Sequence, residues 1–360
     1  FRRVLFRSWD LILDHLPSIQ DLVAMSMVSP QLWMVATNHL TSITTPVYTR
    51  RARARAVWRH LPWGMDAGRM GCVRRVATGH GRGFIWKVVV GEWVATCNAH
   101  GTFKVWEQEG WTCVETVAAG QRSLWSMAEC GGMLVTGGRD GSIKLWEQGT
   151  WTCVRTLQGH TSWVRDLVVH GDWLLSCSED NTVRVWDRTS WECLRVVQTG
   201  HTSGVFSLAV HEGKLYCGGG YDDPTIRVID TTSWASVGVM EGHTDIVWQL
   251  LVREGKLFSC SYDKTIKIWS TGERGACEQT LEGHTSCVPS MAMCGDKLVS
   301  GGADQTVRVW GKDQGTGRWQ CERVLEDHTG EVFSVMCTRY GRRLLTGGRE
   351  SKMRVWGDAA

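Results

Sequence analysis

Thr182-Val183-Arg184-Val185-Trp186 is a strand in miniature: apolar and polar side chains alternate, two valines favour extended backbone, and an aromatic ends the run. The run returns as TFKVW to Trp106, SIKLW to Trp146, TIRVI to Ile229, TIKIW to Trp269, TVRVW to Trp310 and KMRVW to Trp356. Successive ends lie 40, 40, 43, 40, 41 and 46 residues apart. That period gives room for four short strands and their turns, the unit of a β-propeller blade. Seven occurrences specify an all-β, seven-bladed β-propeller.

Each run sits in a fixed setting. A turn segment precedes it (AHG, RDG, EDN, DDP, YDK, ADQ, RES), rich in residues that tolerate left-handed backbone. Before the turn lies another strand, such as WLLSCS or KLVSGG, and further back a Gly-His step at His80, His160, His201, His243 and His284, with Asp327-His328 in the last unit. After the aromatic comes a fourth strand marked by Trp-x-Cys, as in Trp111/Cys113, Trp151/Cys153, Trp191/Cys193 and Trp319/Cys321.

Gly-His, a turn Asp and a Trp closing the third strand resemble the WD-repeat family, and the likeness covers residues 70–358. It implies a hydrogen-bonded set inside each blade, complete at His160/Ser176/Asp180/Trp186, His243/Ser259/Asp263/Trp269 and His284/Ser300/Asp304/Trp310. Four units depart: His100 replaces the Asp in the first, Gln121 the His in the second, Ile229 the Trp in the fourth and Glu350 the Asp in the seventh. These blades are expected to be locally weaker, because a buried polar group without its partner costs about 1–3 kcal/mol. The seventh unit stops after its third strand, while Gly71–Val76 stands alone ahead of the first. That stray strand is expected to complete the seventh blade and remove the open edge.

The N-terminal region has a different period. Phe1–Ser8 reads as an adapter-derived artefact rather than native chain. Over residues 9–42 apolar residues fall at helical intervals, and Ser29-Pro30 is a capping hydroxyl followed by Pro at the first helical position. Ile12-Leu13, Leu16-Pro17, Asp21-Leu22, Val28-Ser29 and Leu32-Trp33 resemble a truncated F-box, a short all-α segment. The resemblance implies that Ile12, Leu16, Pro17, Leu22, Val28 and Trp33 bind the adaptor subunit of a cullin-RING ubiquitin ligase, with the propeller holding the substrate. Residues 43–69 read as a basic linker. Its run Arg50–Arg55 fits a solvated helix better than an import signal or an electrostatic patch.

Composition narrows the function. A net charge of +3 gives no electrostatic case for nucleic acid. No run approaches the roughly 18 uncharged apolar residues of a membrane span. The 14 cysteines include no C-x-x-C pair, so they read as small packing hydrophobes in a reducing compartment, cytoplasm or nucleus. Phosphate-loop, zinc-protease, serine-hydrolase and calcium-loop motifs are absent from the sequence, which therefore calls for no catalytic residue, cofactor or metal. The histidines of the Gly-His step and of Asp327-His328 are locked to the repeat, are spread around the ring and read as structural. So does the third-strand cation of every blade (Lys104, Lys144, Arg184, Arg227, Lys267, Arg308, Arg354), its stem covering its own sheet.

What remains is surface. Two positions per blade face the channel mouth in such a ring. The residue before the turn Asp gives Ala99, Arg139, Glu179, Asp222, Tyr262, Ala303 and Arg349. The residue five after the His gives Ile85, Arg165, Phe206, Trp248, Pro289 and Phe333, and Trp125, four after Gln121, takes this place in the second unit. Trp, Tyr and Arg dominate binding hot spots. Trp125, Arg139, Arg165, Phe206, Trp248, Tyr262, Phe333 and Arg349 are thus the expected binders of a substrate peptide. Such a peptide would carry an aromatic or aliphatic anchor flanked by acidic or phosphorylated residues, met by the arginines. The opposing reading makes these aromatics a plug for the channel. Partners are then protein substrates and the ligase adaptor, with neither nucleic acid nor membrane. The alternative is a WD scaffold unrelated to ubiquitin.

Overall fold

The computed structural model describes residues 70–80, 85–90, 93–108, 110–338 and 343–358. The F-box-like segment and the basic linker lie outside the described residues. Within them, 28 strands form seven antiparallel four-stranded sheets. Each sheet follows the period read from the sequence; the third blade, for example, comprises Val164–His170, Trp173–Ser178, Thr182–Asp187 and Cys193–Gln198. The first strand of every blade touches the first strands of both neighbours, and the first of all, Ile85–Val90, touches that of the seventh blade, Val332–Cys337. These inner strands form a closed ring around an axial channel. Closure occurs where the stray strand was expected to act: Met70–Ala77 pairs with Lys352–Asp358 from Met70↔Asp358 to Ala77↔Lys352.

The core lies between blades. Val183 and Val185 of the third sheet pack with Val205, Leu208 and Ile229 of the fourth, all essentially inaccessible to solvent. In the first four blades the Trp two residues ahead of the fourth strand has a purpose that the sequence did not disclose. Trp111, Trp151, Trp191 and Trp234 sit at φ of 56°, 54°, 60° and 60°. Each N–H closes a five-residue turn onto the carbonyl four residues back, as Trp191 does onto Asp187 at 2.8 Å. The turn swings the indole backward onto the preceding blade. Trp111 packs with Leu345 and Val355 of the seventh, and Trp151 meets Phe103 of the first edge-on at 6.4 Å. Left-handed backbone costs a non-glycine residue about 1–2 kcal/mol, and burying an indole between blades offsets it.

The complete hydrogen-bonded sets form as expected. Ser176 Oγ accepts from Trp186 Nε1 at 2.9 Å and meets His160 Nε2 at 2.7 Å, while His160 Nδ1 reaches Asp180 at 2.8 Å. The other two sets repeat this with Ser259 and Ser300. In the four departing blades the remaining members of the set keep hydrogen-bond partners, which corrects the expectation of orphans among them. In the first blade Asn98 steps in for the missing Asp: its Nδ2 donates to His80 Nδ1 at 3.1 Å, and its Oδ1 accepts from the His100 and Thr102 amides, both at 3.0 Å. In the second, Gln121 accepts from Thr136 and donates to Ser142, spanning the gap left by the His. In the fourth, buried Ile229 replaces the Trp, and His201 Nε2 donates to the Cys217 carbonyl at 3.0 Å. In the seventh, Glu350 takes the Asp's place beside His328 and is itself held by Arg354.

The cysteine reading is corrected at two positions. Cys294 and Cys337, at the ends of the first strands of the sixth and seventh blades, form a disulfide with Cα atoms 5.5 Å apart. Forty-three residues separate them, so spacing gave no sign of it.

Candidate peptide-binding site at the channel mouth

The site grows from a defect in the ladder. In the third blade Val164 pairs with Ser178 and Asp166 with Cys177, leaving Arg165 as a bulged residue with no partner across the strands. The same register shift isolates Trp125, Phe206, Trp248 and Phe333 in their blades. A bulge bends the strand and re-aims one side chain, and these five are aimed at the mouth of the channel. With Pro289, which precedes the sixth blade's first strand, they line a single pocket. Five of the seven expected residues thus sit in one bulged position. Ile85 does not. It is fully buried among Leu345 and Met353, and the bulge of the first blade falls on Trp86, between Ile85 and Lys87. The loop after His80 carries one residue more than its counterparts, so counting from the His lands one position short.

Neighbouring inner strands are stapled beneath the aromatics. Asp166 accepts from the Leu208 amide at 3.2 Å, Gln249 from Met291 at 2.8 Å and Ser290 from Val335 at 3.0 Å, each across a blade boundary. These bonds give backbone amides of one inner strand a side-chain acceptor on the next.

Arg165 is the centre of the site. Its guanidinium carbon lies 4.5 Å from the Trp125 ring centroid, 4.6 Å from Trp163, 4.7 Å from Phe206 and 5.7 Å from Trp248. Its side chain is 9% exposed and forms an ion pair with Glu179. Nε donates to Glu179 Oε1 at 2.9 Å and Nη2 donates to the same oxygen, while buried Nη1 makes no hydrogen bond. Burial pushes this guanidinium below its ordinary pKa, against the pull of Glu179. Around it, Trp125 stacks on Trp163 at 5.4 Å, Phe206 meets Trp248 at 5.8 Å, and Trp248 stacks on Tyr262 at 4.9 Å with ring planes 4° apart. Burial raises the Tyr262 phenol well above its usual range.

The other arginines differ. Arg139 is exposed and lies over the Trp163 ring at 4.2 Å. Arg349 is 60% exposed and faces Glu331 at 3.4 Å. Neither lines the pocket. Trp163 was missed by the sequence reading. It lies in the loop between His160 and the first strand, at a position filled by Gly204, Ile246, Cys287 and Glu331 in other blades, so the fold does not require an aromatic there. That irregularity was the available signal.

The family described as "WD domain, G-beta repeat" matches residues 111–147, 151–187, 191–230, 234–270, 275–311 and 319–357. Among solved structures, the WD40 β-propeller domain of Doa1 is similar at a TM-score of 0.70 and 25% identity, covering 81% of this chain and 97% of that one. The computationally designed protein Ika8 is similar at 0.62 and 24%, covering 78% and 98%. No curated protein matches the sequence.

Proposed function

The chain belongs to the WD40 family, the WD domain, G-beta repeat, and from that premise we propose that it is a non-catalytic substrate receptor of a cullin-RING ubiquitin ligase, holding a partner peptide at the channel mouth. The observation that carries the peptide site is the convergence of five bulge residues from five blades on one pocket. Ladder pairing does not call for an aromatic at Trp125, Phe206, Trp248 or Phe333, since each lies at a register shift. Aromatic surface gathered around a buried arginine, with a polar rim, is the composition of an interaction hot spot.

The ligase role rests on the F-box resemblance of residues 9–42. The competing reading is a WD scaffold in another assembly, and one feature favours it: the pocket is complete within the propeller. Two measurements separate these readings. Purified ligase adaptor should be retained by the full chain and not by a chain beginning at residue 66; retention by neither removes the ubiquitin role. Partner proteins captured by the full chain should be lost on combining Arg165→Glu with Trp248→Ala; undiminished recovery removes the channel mouth as the binding face.

A further inference from the structure

We infer that the channel-mouth pocket selects an uncharged apolar side chain with a carbonyl oxygen beside it, and rejects acidic or phosphorylated residues. The inference rests on the peptide-face reading above and gives it a ligand chemistry.

Three observations carry it. First, the pocket's cation is already neutralised. Arg165 gives two of its nitrogens to one oxygen of Glu179, and Asp166, which also lines the pocket, adds a second carboxylate. The formal charge of Arg165, Asp166 and Glu179 together is negative, so an incoming phosphate or carboxylate meets two anions for one cation in a partly desolvated site, where like charges repel strongly. Second, the remaining walls are Trp125, Phe206, Trp248, Pro289 and Phe333, which offer apolar surface. Third, Arg165 Nη1 is a buried donor without an acceptor in a pocket-lining side chain that is itself nine-tenths buried. A buried donor left unpaired is costly, and a neutral carbonyl of the bound peptide would satisfy it without bringing a charge.

The test is a phage-displayed random peptide library selected on the full chain. Enriched peptides should share an aliphatic or aromatic residue without adjacent acids, and Trp248→Ala should abolish their binding. For a selected peptide, replacing the anchor's neighbours by glutamate or phosphoserine should weaken binding at least tenfold. Glu179→Gln keeps an oxygen for Arg165 but removes the charge, so it should largely erase that penalty. Arg165→Met, which keeps the apolar stem and removes the donors, should weaken the neutral peptide about tenfold. Enrichment of acidic peptides, or equal binding of the glutamate or phosphoserine versions by the unaltered chain, overturns this ligand chemistry while leaving the face intact. Selected peptides that bind Trp248→Ala undiminished overturn the face itself, and the inference with it.

Discussion

Arg75 and Asp327 lie 252 residues apart and form an ion pair at the seam of the ring, with Arg75 Nε donating to Asp327 Oδ2 at 2.9 Å. Asp327 also accepts from Arg354 Nε at 2.5 Å, so one carboxylate ties the strand that begins the propeller to the strand that ends it. The hydrogen bond from Arg75, then those from Arg354, hold the Asp327 carboxyl well below the usual carboxylate range. Burial would raise the neighbouring Glu350, but hydrogen bonds from His328 and Arg354 push it down to about 2. For a carboxyl whose folded pKa is depressed, the stabilisation is complete above the unfolded value near 4 and drains away as pH falls through the folded one.

Ring closure should therefore weaken between pH 4 and 2. Asp327→Ala should cost about 2–3 kcal/mol at neutral pH, because it strips a partner from buried Arg354. Arg75→Ala, which removes an exposed partner, should cost much less. Denaturant unfolding of the three proteins against pH checks the order, and the Asp327→Ala curve should be the flattest in that window.

Asn98, rather than His100, is the partner of His80. Burial and nearby Lys104 push the His80 imidazole down to about 4. A depressed histidine contributes its full stability above the unfolded value near 6.5 and loses it as pH falls towards 4. Asn98→Asp should raise the His80 pKa by at least one unit, because a carboxylate favours the imidazolium, and NMR titration reads this directly. His100→Asp should change stability by less than about 0.5 kcal/mol, since His100 is exposed and its role is already filled.

Under denaturing, non-reducing conditions the purified protein should show twelve titratable thiols of the fourteen in the sequence. Reduction should lower stability by about 2–4 kcal/mol, the range for a bridge closing a loop of this length. Cys294→Ser should reproduce that loss and abolish the response to reductant. Thiol counting and thermal unfolding with and without reductant check both.

Trp111 combines a buried indole with left-handed backbone at φ 56°. Trp111→Ala should cost about 3–5 kcal/mol by emptying the contact with the seventh blade. Trp111→Gly should be the milder change by about 1 kcal/mol despite removing more atoms, because glycine adopts this φ without strain. Paired unfolding measurements decide it; equal losses would show that the backbone at Trp111 is relaxed.

Most of the fold could be read before any coordinate, and the candidate site only in part. The repeat at Trp106, Trp146, Trp186 and their successors gave the blade count, and Gly71–Val76 gave the closing strand. Phe206, Trp248 and Phe333 were found by counting five from the recurring His, which works while the loop length is constant, and Trp125 by its equivalent place in a loop one residue shorter. The count missed at Ile85 because one extra residue shifts the register, and register is set by ladder pairing rather than by distance from a motif. Trp163 was missed because it belongs to a loop, where the repeat imposes no pattern. Arg165 was found, but its state was misjudged: it was expected as a free receptor for anions and is held by Glu179 among four rings.

The sequence by itself determined the repeating frame of each forty-residue unit: strand order, the turn after the second strand, the inward set of His, Ser, Asp and Trp where it is complete. Those features depend on neighbours close in the chain, and local patterning encodes them. Only the tertiary structure decided what happens where units meet: which indole packs on the preceding blade, which cysteines join, which carboxylate ties the seam of the ring, and which five bulges face one another across the channel. Ring closure brings together residues forty to two hundred and fifty positions apart, and no local pattern records a meeting that the geometry of the ring creates.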